Sequence, residues 1–269
     1  MVLNAILNAT GALLVSLAGN PWLDASAPVA LQHRSQWYSS DCDALRRGIC
    51  RALYPSAAGI TRTHGHDVFG HYVETSVSFA PSAAAAAEPL LDVGVRVYDG
   101  APDFVVLTQR FPQGLVPGND DGHDDDIASS FPTIASNLRD FHVIMYEGVQ
   151  LQNVRVFPWE AATPFSSSDA RPEGSSSKSP DKQGEAMPFV LIDDRASGRD
   201  AIVLSPLDDF FTSRQGPSER MQGLFSFGLK GSVMVPPNHT YATLLVASTD
   251  GVRAAMMRWG SLLRKGNPP

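Results

Sequence analysis

Apolar and polar residues alternate with a period of two through almost every patterned segment of this chain, and only the last patterned segment breaks the rule. In residues 91–98, Leu91, Val93, Val95 and Val97 share one side of an extended backbone, and Asp92, Gly94, Arg96 and Tyr98 share the other. The first side is expected to face a core and the second to face water. Residues 250–265 change period: Val252, Ala255, Met256, Trp259, Leu262 and Leu263 follow the spacing of an amphipathic helix. Asp250 is placed to cap its start and Gly266 to end it. Arg264 and Lys265 complement the negative end of the helix dipole, and Pro268 and Pro269 discourage continuation.

Further strands are expected at 72–79, with Val73, Thr75, Val77 and Phe79 on one face, and at 104–111, joined to 91–98 by a turn at 100–103. More follow at 141–147, 149–157, 187–192, 201–205, 223–235 and 240–248. Many short strands without intervening helices point to an all-β fold, a large antiparallel β-sandwich with one C-terminal amphipathic helix. The expected division is a sandwich over residues 1–249 and a linker helix over 250–269. Within the sandwich, residues 161–186 are rich in Ser, Pro, Asp, Lys and Gly and read as a flexible surface insertion. Residues 44–53 show helical character, and 83–87 form a polyalanine linker.

The chain has 269 residues, 43% of them hydrophobic and 18% charged, which is enough apolar material for a sizeable core without staples. A formal charge of -7 argues against nucleic acid or an anionic membrane as the main partner. No apolar run approaches the roughly 20 residues that a bilayer requires. Residues 1–19 are apolar and end in small residues, as a signal peptide does, but they lack basic residues near Met1 and carry Asn4 and Asn8; an opening strand region is the plainer reading. Cys42 and Cys50 are spaced either to close a small disulfide loop or to remain two free thiols. Asn8 and Asn238 each begin a glycosylation sequon.

His64, His66, Asp67 and His71 form the densest group of metal-ligand types, and alternation puts His64 and His66 on one side of an extended backbone. The spacing matches no zinc pattern, and the glycines favour a solvated or hydrogen-bonded loop, so no metal and no cofactor are assigned. The acidic run at 119–126 lacks the spacing and distal glutamate of an EF-hand and reads as a solvated loop. Glu74, Glu147, Glu160, Asp193 and Asp208 are carboxylates available for glycoside chemistry, but nothing in the sequence sets two of them at the separation that chemistry needs, and no catalytic residue is assigned. Nucleophile-elbow, phosphate-loop and dinucleotide motifs are absent from the sequence. Of four tryptophans, Trp259 falls on the helical apolar stripe, whereas Trp37 and Trp159 are candidates for stacking on a sugar, with core packing as the ordinary alternative.

An ordered set of segments carries a resemblance. It comprises His66-Asp67-Val68-Phe69-Gly70-His71-Tyr72, Val95-Arg96-Val97-Tyr98-Asp99, Gln109-Arg110-Phe111-Pro112-Gln113-Gly114 and Ser130-Phe131-Pro132. It continues with residues 202–210 and 231–237 and ends at Trp259-Gly260. Together they resemble the N-terminal region of glycosidases related to the α-galactosidase and raffinose-synthase group, in a eukaryotic branch. The resemblance implies a β-supersandwich whose terminal helix leads to a (β/α)8 barrel carrying the catalytic carboxylates. A barrel takes about 250 residues, so this chain holds the sandwich and not the barrel. The expected role is therefore non-catalytic: packing on the barrel, with Asp67 and the 113–127 loop reaching its sugar pocket. The alternative is a freestanding lectin-like module that binds carbohydrate, and a third reading is a metal enzyme centred on His64, His66 and His71.

Overall fold

The computed structural model describes residues 2–25, 28–45, 50–84, 87–116, 127–134, 141–146, 154–158, 188–193, 200–217 and 225–267. Their strands, in chain order, are β1 (Leu3–Leu7), β2 (Leu13–Leu17), β3 (Asn20–Ala25), β4 (Ala30–His33), β5 (Gln36–Ser39), β6 (Cys50–Ala52) and β7 (Tyr54–Asp67). Next come β8 (Gly70–Ala80), β9 (Leu91–Tyr98), β10 (Phe104–Phe111), β11 (Ser129–Ser130), β12 (Thr133–Ile134), β13 (Phe141–Tyr146) and β14 (Val154–Pro158). The last are β15 (Phe189–Asp193), β16 (Ala201–Pro206), β17 (Ser213–Pro217), β18 (Phe225–Leu229) and β19 (His239–Ser248), followed by helix α1 (Val252–Gly266).

One nine-stranded sheet, ordered β14-β13-β15-β16-β19-β10-β9-β8-β7, forms the larger layer, and all its pairings are antiparallel. Three small sheets, β1-β2-β3, β11-β4-β5-β6 and β12-β18-β17, make the opposing layer. Side chains from both layers interdigitate in one apolar cluster: Leu17, Leu31 and Phe227 from the small sheets meet Val93, Leu107, Leu204 and Leu245 from the large one. This is the β-sandwich that the alternation predicts.

The middle of the large sheet's outer face is not open to water. Helix α1 lies across it, and Ala255 and Leu262 join Phe104, Val106, Val203, Leu244 and Val246 in a second apolar cluster. Trp259, on the predicted apolar stripe, donates its indole N–H to Ser205 Oγ at 2.7 Å. Two-sided coverage explains β19, where Tyr241, Leu245 and Ala247 point into the sandwich while Ala242, Leu244 and Val246 point under the helix. Burying each leucine or valine of this strand contributes about 1.5–3 kcal/mol.

The same coverage corrects the reading of the 91–98 segment. Val97 is 44% exposed and Tyr98 only 4%. At that end of β9, Phe69, Tyr72 and Phe104 pack around Tyr98, so the face read as wet is apolar there.

Other details decide between alternatives or depart from expectation. Residues 50–52 form β6 and not a helix, with a short 3-10 turn at Cys42–Ala44. Cys42 and Cys50 are joined by a disulfide. Residues 3–7 and 13–17 pair as a hairpin, the opening strand region expected of the apolar start. Gly251, not Asp250, is the N-cap residue of α1, with no side-chain capping bond. The helix runs through Gly266, and Asn267 closes it by donating its backbone N–H to Leu263 O. The insertion at 161–186, the acidic run at 119–126, and Trp159, Glu147 and Glu160 lie outside the described residues.

Candidate functional site

The glycines at 65 and 70 read as loop signals, yet residues 54–67 form the longest strand of the structure, β7, which pairs with β8 up to Asp67 opposite Gly70. Gly65 is needed for another reason. A Cβ there would sit 2.3 Å from the Tyr72 ring, so glycine gives that ring room to cross the ribbon. The β7–β8 turn places Asp67 at its corner, where Oδ1 accepts the Phe69 backbone N–H at 2.9 Å.

Asp67 is tied into a cluster on the helix-covered side of the sheet. Tyr98 donates its hydroxyl to Asp67 Oδ2 at 2.7 Å, and an Arg96 nitrogen lies 3.8 Å from the same oxygen. Arg96 stands directly opposite Glu74 in the β8–β9 register and donates its Nε–H to Glu74 Oε2 at 3.1 Å. The other Glu74 oxygen, Oε1, accepts from the Thr108 hydroxyl at 2.7 Å. Gly94 makes this reach possible, because a Cβ there would lie 2.5 Å from Thr108 Oγ1 and 2.7 Å from Glu74 Oε1. The Arg96 guanidinium also sits 4.8 Å from the Tyr72 ring centroid.

The electrostatics of the cluster favour permanence. Burial, then the hydrogen bond and charge of Asp67, push the Tyr98 hydroxyl far above its ordinary pKa, so it remains a donor. Burial works to lower the Arg96 pKa, but the charge and hydrogen bond of Glu74 outweigh it and the net shift is upward. Both oxygens of Glu74 and both of Asp67 are engaged by donors from Arg96, Thr108, Tyr98 and the Phe69 N–H. Such a cluster fixes geometry; it does not present a free acid and base. Helix α1 reaches the same corner: Lys265 Nζ lies 5.9 Å from the Phe69 ring centroid, and Asn267 Nδ2 donates to Leu207 O at 2.8 Å.

A second acidic group lies at the end of β16. Burial, and next the charge of Asp209, push the Asp208 carboxyl up to about 6, while its Oδ1 accepts the Ala242 N–H at 3.3 Å. Asp209 Oδ2 is 2.8 Å from His239 Nε2.

The remaining candidates scatter. Trp37 is 6% exposed and packs with Ala30 and Leu45, so its ring offers no open face to a sugar. Asn8 Oδ1 accepts from the Thr10 N–H, the Thr10 hydroxyl and the Ala12 N–H, forming a turn, while Asn238, at φ 63°, is exposed and accepts from Arg110 at 2.9 Å. His66 and His71 face each other across the ribbon with ring centroids 4.8 Å apart. Among the described residues, no group of three His, Cys, Asp or Glu side chains is placed to hold a metal ion. No described helix is long and apolar enough to cross a membrane. Of the cluster's members, sequence reasoning singled out Asp67 and named Glu74 among several carboxylates, but it missed Arg96, Tyr98 and Thr108 as site residues. The available signal was Gly94, a glycine inside a strand beside a charged residue on the same face.

No family model matches this chain, and no curated protein matches it. Among solved structures it is similar to the ligand-free α-N-acetylgalactosaminidase NagBb from Bifidobacterium bifidum, at 11% identity and a TM-score of 0.47 over 99% of this chain. The chain spans 37% of the length of that protein. That structure is a glycosidase, with a name from outside the α-galactosidase and raffinose-synthase group. The structure of HI1317 is similar over 92% of this chain and 100% of its own, at 8% identity and a TM-score of 0.31. Likenesses this distant assign no activity to the chain.

Proposed function

We propose that this chain is the non-catalytic N-terminal β-sandwich domain of a glycoside hydrolase-like protein of the α-galactosidase and raffinose-synthase type. In this reading residues 1–249 are the sandwich, and residues 250–269 lead toward a (β/α)8 barrel that carries the catalytic carboxylates. The domain packs on that barrel and shapes its sugar site from the β7–β8 corner. The observation that carries the reading is the locked state of Asp67: its carboxylate is held by Tyr98 and the Phe69 N–H beside the end of α1, which suits positioning and not proton transfer. The segments quoted for the sequence resemblance support it, since 66–72 and 95–99 meet at this corner.

The test is sugar kinetics in the complete protein with nitrophenyl glycosides. Asp67→Ala is expected to lower kcat/KM at least tenfold, whereas Asp67→Asn, whose amide oxygen still accepts the Phe69 N–H and whose NH2 donates to the Tyr98 hydroxyl, keeps most of it. Unchanged kinetics in Asp67→Ala would remove the corner from the sugar site.

A further inference from the structure

Far from the Asp67 corner, the small sheet β11-β4-β5-β6 borders a cleft of about 510 Å³ that is lined by Arg34, Arg51, Tyr38, His33, Glu88 and Gln113 among others. Its construction is specific. Strands β4 and β5 are joined by the two-residue turn Arg34–Ser35, with φ of 51° and 62°, both in the left-handed region. Hairpin turns of this shape favour Asn and Gly, and an arginine held there costs on the order of 1 kcal/mol. The Arg34 backbone N–H is tied to Val116 O at 3.0 Å, which helps to hold the turn. Arg51 reaches the cleft from β6, paired in parallel with β5 so that Arg51 stands opposite Tyr38, and the Cys42–Cys50 disulfide anchors the residue before it.

Among the described residues neither guanidinium meets a carboxylate at ion-pair distance. Among the described lining residues, two arginines and one glutamate leave a single excess positive charge. His33 adds none at neutral pH, because burial, then the neighbouring Arg34 charge, lower its pKa. Its Nδ1 is buried and unpartnered among the described residues, while the ring is 6% exposed. The volume far exceeds that of a bare ion. Tyr38 offers an aromatic wall, and Glu88 offers a carboxylate able to accept from hydroxyls.

We infer that this cleft binds an acidic sugar, a pyranose-sized ring whose single carboxylate lies between Arg34 and Arg51 and whose hydroxyls reach Glu88. The arginines supply charge-assisted hydrogen bonds to the carboxylate, and Tyr38 supplies a surface for the ring. The site is independent of the barrel reading, since it needs only residues of this chain.

Calorimetric titration of the full chain with glucuronate, glucose and inorganic phosphate tests it. Glucuronate is expected to bind, with affinity falling at least tenfold in Arg34→Gln and in Arg51→Gln, and further with added salt. Glucose and phosphate are each expected to bind at least tenfold more weakly than glucuronate. Both arginines are exposed, and far-UV circular dichroism of each variant verifies that it is folded. Glucose binding as tightly as glucuronate, phosphate binding as tightly as glucuronate, unchanged affinity in both folded variants, or no binding of glucuronate would each overturn the assignment. Asp67→Ala leaves this titration unchanged, so the two proposals fail separately.

Discussion

Several residues in this sandwich are fixed by a single neighbour. Gly228 is the tightest, because a Cβ there would meet the Ser129 backbone oxygen, which belongs to a strand and cannot turn aside. At Gly94 the obstacles are the tips of Thr108 and Glu74, which are able to move at the expense of the Glu74–Arg96 link. Gly228→Ala is therefore expected to destabilise by more than about 3 kcal/mol and Gly94→Ala by about 1–3 kcal/mol, ranked by urea midpoints; the reverse order would contradict the close approach at Gly228. Asp208 gives a pH-dependent counterpart. Its carboxyl titrates at about 6 in the folded chain, whereas an unfolded aspartate titrates near 3.9. Between those values the folded state keeps a proton that the unfolded state has lost, so stability falls as pH rises through this window, and the penalty is complete above it. Asn at 208 keeps an oxygen for the Ala242 N–H without the charge. Asp208→Asn is expected to be more stable than the parent at pH 7.5, by on the order of 1 kcal/mol, and to converge with it near pH 4. Parallel pH profiles would refute the raised carboxyl.

At the scale of elements, the helix decides what the large sheet buries. Leu262 is 3% exposed and sits in the cluster under α1 with Phe104, Val203 and Leu244. Leu262→Ala is expected to cost about 2–4 kcal/mol in thermal or urea unfolding, against almost nothing for Met257→Ala, which is on the exposed side. Equal effects would mean that the helix is not seated as described. The helix and most of β9 were legible because each obeys one clear period, and the hairpin to β10 because the turn at 100–103 carries the right residues. The β7 strand was not legible. Its side chains are mostly exposed, so no apolar alternation marks it, and its glycines resemble loop signals while in fact clearing the way for Tyr72. Tyr98 was misassigned because at that end of its strand the outer face is covered while the Val97 face is exposed, a tertiary fact absent from a period-two pattern. The Asp67 corner was half legible: the residue stood out, but Arg96 and Thr108 join it only through the registers of β8, β9 and β10.

At the scale of the molecule, a nine-stranded sheet covered by small sheets on one side and a helix on the other is a scaffold with two separate polar sites. In the Asp67 cluster every carboxylate oxygen of Asp67 and Glu74 has a donor. At the Arg34 and Arg51 cleft, neither guanidinium meets a carboxylate at ion-pair distance among the described residues. This contrast is why positioning is assigned to the first site and ligand binding to the second, and why acid–base catalysis is assigned to neither. The proposed function makes the sandwich one domain of a larger glycosidase-like protein. The most direct test is the mass of the native protein in its source cells, read on a denaturing gel with an antibody raised against this sandwich. A species far heavier than 28.9 kDa, long enough for a barrel, is expected. A single species near 28.9 kDa would contradict it.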